Sequence, residues 1–348
     1  MTVLLGSTRP DKIELEKGLV RWAQLSYWLD DLHTGVPDGK LPQTWRLGNR
    51  PNLTQMHDVA RKNIQDDIVR ARLLDDISKT KALTANASAA GVSVHTLPAR
   101  PNDVKDDGVF RYAVLGPSAA SNSGKPSPEA KRFLDETTGS DKPRVYRNSV
   151  LLLVPSKDGL ELALAGVRDS LAWEIVQDEV KKQQADGNVD PARAQTLRMN
   201  IDKAKGRVPE AIRQAYCIVV TVSEKDDAQA FKITVTDEPH FNVIKNDKRS
   251  RIQETAITAE ALLPDGPYNL WRAGETSRRV KDLAGAFAQY PHLPKMLKAS
   301  AILETLAGGC ENGTFVLRVV RPDRTSRTWW MSRPDENALS EIFLNVFK

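Results

Sequence analysis

The sequence predicts a mixed α/β protein, and three observations carry that reading. Short apolar runs at 112–115, 149–154 and 216–222 have the length of strands and are bounded by turn-forming residues. Between the last two runs, apolar residues recur at three- and four-residue steps, the period of a helix. The first hundred residues and much of the last third follow the same helical period. The expected architecture is a central, largely parallel sheet with a long helical hairpin inserted at 158–213. Two mainly helical, winged-helix-like modules flank it, which divides the chain into 1–100, 101–238 and 239–348.

Taken in order, Asp11 caps a helix carrying Leu15, Leu19, Trp22, Leu25 and Leu29 on one face. A Gly/Pro/Asp-rich break at 35–42 leads to a short strand at 44–47 and the turn 48–51. Asn52 or Thr54 then caps one helix bearing Met56, Val59, Ile64, Ile68 and Leu73. Helix, tight turn and helix with a basic tip fit a winged-helix module, and equally a helical subdomain with a hairpin. A short helix is expected at 128–134, between the strands at 112–115 and 149–154.

The inserted hairpin has a first arm with Leu160, Leu164, Val167, Leu171 and Ile175 on one face. Its second arm starts at Asp190-Pro191 and carries Ala194, Leu197, Ile201, Ala204, Val208 and Ile212. The chain returns to a strand at 216–222, which pairs with 231–235. Strand, helical excursion and strand imply a right-handed crossover between parallel strands. The basic run 245–251 reads as an exposed loop or cap. Helices follow at 276–289 and 293–306, then a hairpin of 315–320 with 328–331, and an amphipathic tail at 339–348.

Composition limits the function classes. The chain has 348 residues, 40% of them hydrophobic and 27% charged, the balance of an ordinary soluble protein. A net charge of +5 permits a nucleic-acid or acidic partner without requiring one. Cys217 and Cys310 stand far apart and outside any CxxC pattern, which argues against a zinc site or a disulfide framework. No apolar run has the length of a membrane span, and the N-terminus lacks a secretory pattern, so a cytoplasmic protein is expected.

One segment imitates a phosphate-binding loop. Gly116-Pro-Ser-Ala-Ala-Ser-Asn-Ser-Gly-Lys-Pro126 follows a strand, yet Ala119 stands where a Walker loop needs glycine. Pro126 replaces the Ser or Thr that would hold magnesium. His33, His57, His95, His240 and His292 form no metal-binding motif, and nucleophile elbows and dinucleotide fingerprints are missing from the sequence. No catalytic, cofactor or metal residue is therefore assigned.

Basic clusters are the binding candidates. Arg46, Asn49, Arg50 and Asn52 surround one tight turn, where they either contact phosphates or simply build and solvate the turn. Arg318, Arg321, Arg324 and Arg327 surround the C-terminal hairpin beside Trp329 and Trp330, a stacking platform or a buried aromatic pair. Arg144, Arg147 and Asn148 precede an apolar strand. They meet a phosphate or an acidic patch, or tie the strand to its surroundings through buried hydrogen bonds.

Several segments together resemble one family: Leu41-Pro-Gln-Thr-Trp-Arg-Leu-Gly48, Pro51-Asn-Leu-Thr-Gln-Met-His57 and Tyr112-Ala-Val-Leu-Gly-Pro117. Arg144-Val-Tyr-Arg-Asn-Ser-Val-Leu-Leu-Leu-Val-Pro155, Leu171-Ala-Trp173 and Pro291-His-Leu-Pro294 continue the series. In this order they resemble the C-terminal half of the large AAA-type ATPases that carry the four-nine-nine domain of unknown function, relatives of the BREX-system protein PglY. The resemblance spans roughly residues 1 to 335. It implies a cytoplasmic role in prokaryotic anti-phage defence, beside proteins such as a DNA methyltransferase. The family's Walker motifs lie upstream of the matched region, so the expectation is a split gene product, a truncated paralogue or a fragment. ATP and magnesium are then expected only on a motor supplied elsewhere, such as an ATPase half. The expected function is a non-catalytic C-terminal segment of such an ATPase that binds DNA or partner subunits; the alternative is a protein–protein scaffold or adaptor without nucleic-acid contact.

Overall fold

The computed structural model describes residues 11–26, 29–30, 46–47, 51–184, 191–321 and 323–344. Helix α1 (Lys12–Leu25) starts where the Asp11 carboxylate accepts the N–H groups of Ile13 and Glu14 at 2.9 and 3.1 Å. Strands β1 (Leu29–Asp30) and β2 (Arg46–Leu47) pair antiparallel. Asn52 is the cap of α2 (Leu53–Asn63): its Oδ1 accepts the Thr54 N–H at 2.7 Å, and its Nδ2 donates to Leu29 O at 2.9 Å. A break at Ile64-Gln65 separates α2 from α3 (Asp66–Lys79), so the apolar series expected on one helix falls on two. Val59 and Ile68 are consequently 55% and 50% exposed rather than core.

The remaining elements follow in chain order: β3 (Ser93–Thr96), β4 (Arg111–Val114), α4 (Pro128–Asp135) and β5 (Val150–Val154). Then come α5 (Lys157–Gln184), α6 (Pro191–Ala215), β6 (Ile218–Val222), β7 (Ala228–Lys232), α7 (His240–Asn246) and β8 (Ile252–Gln253). The chain continues through α8 (Val280–Gln289), β9 (Lys295–Met296), α9 (Ala299–Glu311), β10 (Leu317–Val320), β11 (Ser326–Trp329) and α10 (Glu336–Leu344).

The central sheet has the order β3-β4-β5-β6-β7. Strands β3, β4 and β5 run parallel, whereas β6 is antiparallel to both β5 and β7. Four strands thus share one direction and β6 opposes them. The parallel crossover expected between 149–154 and 216–222 is overturned, because Leu152 pairs with Val220 and Val154 with Ile218 in antiparallel register. The cause is the even number of helices between them. The Ser156 N–H, just after β5, donates to Ala215 O at 2.8 Å, just before β6. The chain therefore re-enters the sheet at the end it left, whereas a parallel neighbour requires re-entry at the opposite end.

Strands β4, β5 and β6 are buried on both faces, which explains their uninterrupted apolar sequence. Two buried phenols close the layer: Tyr112 donates to Leu83 O and Tyr216 to Leu115 O, each at 2.8 Å. Contacts divide the chain into two units, 1–77 with 161–212 and 78–160 with 213–348. The first unit buries Val69, Leu73 and Ile77 of α3, and Leu197, Ile201, Ala204, Val208 and Ile212 of α6, the last five as their spacing predicts. On α5 the buried positions are Ala163, Val167, Ser170, Ala172, Trp173, Val176 and Val180, while Ile175 is turned outward.

The second unit holds the sheet and a C-terminal core built from Leu283, Phe287, Ile302, Leu306, Leu317 and Trp329, among others. Residues 293–297 are extended, not the first turn of a helix: Lys295 and Met296 pair parallel with Ile252 and Gln253. Pro294 disfavours helical geometry at Leu293, and α9 begins only at Ala299. The hairpin β10–β11 pairs Leu317 with Trp329 and Val320 with Ser326. Among the described residues no helix is long and apolar enough to cross a membrane.

Candidate functional site

The segment 144–148 delivers three polar side chains into the second unit, just ahead of β5. Arg144 is buried, and its guanidinium sits in a cage of main-chain carbonyls. Nη1 donates to Val104 O at 2.8 Å, and Nη2 to Pro101 O at 2.9 Å and Glu136 O at 3.3 Å. Burial pulls its pKa below the usual value, partly offset by Asp106, whose carboxylate lies 4.0 Å from Nη1. Arg147 binds two carboxylates, Asp135 at 2.6 Å and Asp226 at 2.7 Å.

Asn148 is 0% exposed and uses its whole amide. Nδ2 donates to Phe287 O at 2.8 Å and Leu293 O at 3.1 Å. Oδ1 accepts from Lys295 Nζ at 2.6 Å and Arg251 Nη2 at 3.3 Å. Lys295 is 1% exposed, and its amine also donates to Val222 O at 3.1 Å. Burial first, and the Arg251 charge second, hold that amine well below the ordinary lysine range. Arg251 adopts a left-handed backbone (φ 53°), donates to Pro291 O and Val222 O, and stands 3.9 Å from Glu224. This node ties β5, β6, α8 and β9 together through one asparagine. Lys295 and Arg251 were not candidates from sequence. The available signal was a lone lysine inside the apolar run 293–297.

The C-terminal arginines divide by partner. Arg321 binds Glu341 through two bonds of 2.7 and 3.0 Å. Arg327 lies 3.4 Å from Asp335 and 4.8 Å from the centre of the Trp329 ring. Arg318 donates to Ser326 Oγ at 3.3 Å, and Arg324 occupies the turn with φ 65°. Trp329 is core, whereas Trp330 is 58% exposed. In the N-terminal cluster, Arg46 contributes backbone to β2 and Asn52 is the α2 cap, while Asn49 and Arg50 lie outside the described residues.

The Gly124-Lys125 loop spends its donors on the chain itself. The Gly124 N–H reaches Ala230 O at 2.8 Å, and the Lys125 N–H reaches Asn122 O at 3.0 Å. Gly124, at φ 77°, makes this a tight turn against β7. In the first unit, His57 stacks on Trp173 with ring centres 4.4 Å apart and its Nε2 lies 3.0 Å from Asp169 Oδ1. That bond is the main reason the Asp169 carboxyl is held below its usual value. The pair had no linear signature, since its members lie on different helices. Among the described residues no cluster of three or more His, Cys, Asp or Glu could hold a metal ion. Comparison of the chain with protein-family models, curated proteins and solved structures finds no match.

Proposed function

We propose that the chain is a non-catalytic, DNA-binding segment of an AAA-type ATPase of a prokaryotic anti-phage defence system. One observation supports the DNA contact most directly. On the β10–β11 hairpin, Arg318 and Arg324 have no carboxylate partner among the described residues, and Trp330 is exposed at the open end of the same hairpin, opposite the turn that holds Arg324. Arginines free to meet phosphates next to an aromatic face suit a nucleic-acid backbone. In this reading α8, α9 and the hairpin act as a winged-helix-like unit, with the hairpin as the wing. Helices α5 and α6 form an antiparallel coiled pair. The resemblance of the ordered motifs to the four-nine-nine ATPases supplies the defence context.

Anisotropy of a labelled duplex, titrated from about 50 to about 200 mM salt, tests the DNA contact. Replacing Arg318 and Arg324 with alanine removes two phosphate contacts and should flatten the log–log salt slope by about 1.8. The melting temperature should stay unchanged. Absence of binding at the lowest salt would defeat the proposal. Millimolar ATP should leave the melting temperature of the chain alone where it stands, since Ala119 and Pro126 break the Walker pattern. A second reading, a protein scaffold, is favoured by the exposed Val316, Val320 and Met331 around the same hairpin. Salt-insensitive capture of a purified methyltransferase or ATPase partner would select it.

A further inference from the structure

The second unit contains a cavity of about 340 Å³ that neither the sequence motifs nor the hairpin explains. It sits at the amino ends of the three parallel strands. Gly91 precedes β3, Gly108 and Phe110 precede β4, and Tyr146 precedes β5, with α8 and the start of α9 closing the other side. Its apolar walls include Phe110, Phe287, Met296 and Ile302, and its polar rim includes Lys281 and Lys298. The volume lies in the usual range of small-molecule sites, about 300 to 1,000 Å³.

The charges around it point one way. Asp107, the only carboxylate on the wall, is engaged by Arg111 at 2.6 Å. Glu254, which feels the Lys298 charge, is engaged by Lys245 at 2.8 Å. Among the described residues neither Lys281 nor Lys298 has a carboxylate within ion-pair distance. Gly91, with φ 84°, keeps the Lys298 stem against the main chain, because a Cβ there would stand 3.2 Å from Lys298 Cε. Gly108 and Gly285 face the Tyr146 ring, where a Cβ would stand 3.6 and 3.9 Å from ring carbons. Two lysines on the lining of one apolar hollow offer an anion there a choice of cations beside a low-dielectric wall.

We infer that this cavity binds a small amphipathic anion, an aromatic or branched apolar body carrying one carboxylate or phosphate that Lys281 and Lys298 clamp. The body occupies the hollow between Phe110, Phe287 and Tyr146, and the head group meets the two ammonium groups at the rim. Fluorescence titration with anilinonaphthalene sulfonate and its uncharged counterpart phenylnaphthylamine tests the site on the full chain. The sulfonate should bind one saturable site about tenfold tighter than the uncharged dye, the worth of one charge-assisted contact. The double variant Lys281→Ala/Lys298→Ala should lose that preference, and Gly285→Leu should fill the hollow and abolish both signals.

Equal affinity for the two dyes in the unaltered chain would overturn the inference, as would undiminished binding in a folded Gly285→Leu variant. If Gly285→Leu does not fold by circular dichroism, the lysine variant decides alone: a lost preference supports the site and a retained one overturns it. Displacement of the sulfonate by naphthoate or by naphthyl phosphate then identifies the head group. Displacement by neither sinks the proposal.

Discussion

The stability of the protein should rise with pH on account of Lys295, and one substitution should remove the rise. The amine is buried between Asn148 Oδ1 and Val222 O with the Arg251 guanidinium nearby, so the folded chain disfavours its charged form. In the unfolded chain it titrates at its ordinary value of 10.5. Between the lowered folded value and 10.5, the unfolded state binds more protons, and the free energy of unfolding increases as pH rises. A full proton is worth about 1.4 kcal/mol per pH unit in that window. Below the folded value both states are charged and the penalty is complete; above 10.5 both are neutral and it vanishes.

Lys295→Met keeps most of the side-chain volume, deletes the titration and gives up two hydrogen bonds worth about 1 kcal/mol each. Urea unfolding of both proteins from pH about 7 to about 9.5 measures the difference. The variant should be favoured at the low end of the series, with unaltered protein gaining on it by up to about 1.4 kcal/mol per pH unit. Tyr112 and Tyr216 act in the opposite sense, since burial raises both phenols and the unfolded chain loses those protons first at high pH. That loss is common to both proteins and cancels in the difference. Parallel stability curves would refute the reasoning, because they would mean that the Lys295 proton is held equally well in both states.

Three further outcomes follow from the same geometry. Arg144→Lys should cost about 2 to 4 kcal/mol in urea unfolding, because a point ammonium cannot serve the carbonyls of Val104, Pro101 and Glu136 that the planar guanidinium spans. Gly159→Ala should destabilise by about 1 to 3 kcal/mol, since its Cβ would stand 2.7 Å from Ala215 Cα, at the point where the ends of α5 and α6 meet. Gly206→Ala, in open space on α6, should instead stabilise by about 0.5 to 1 kcal/mol, and melting curves of the two variants should move apart. The Asp169 carboxylate contributes stability above its unfolded value of 3.8 and loses it as pH falls through the lowered folded value. Carboxyl-carbon NMR should therefore find its titration midpoint below the ordinary value, moving upward in His57→Gln.

Local chemistry was legible in the sequence wherever its partners were local. Asp11 and Asn52 announce helix starts because an N-cap bonds the N–H groups two or three residues ahead. The runs 150–154 and 218–222 announce strands because both of their faces are buried. Ser93–Thr96 was missed because a polar edge strand carries neither an apolar run nor a clean alternation. The direction of β6 is hidden for a different reason. Strand length and composition are the same in either direction, and only the return of α6 to Ser156 decides it.

Arginine is where that limit bears most on function, because one side chain serves three incompatible purposes with no difference in its neighbours along the chain. Arg144 holds carbonyls contributed by residues 101, 104 and 136, Arg147 bridges Asp135 and Asp226, and Arg318 meets only a serine hydroxyl among the described residues. Turning Arg144 toward a phosphate would strand buried carbonyls at about 1 to 3 kcal/mol apiece, and freeing Arg147 would break two ion pairs. Arg318 and Arg324 carry no such debt, nor do Lys281 and Lys298 at the cavity rim. An anion approaching this protein therefore meets less resistance at the hairpin and at the cavity than at Arg144 and Arg147 in the segment before β5.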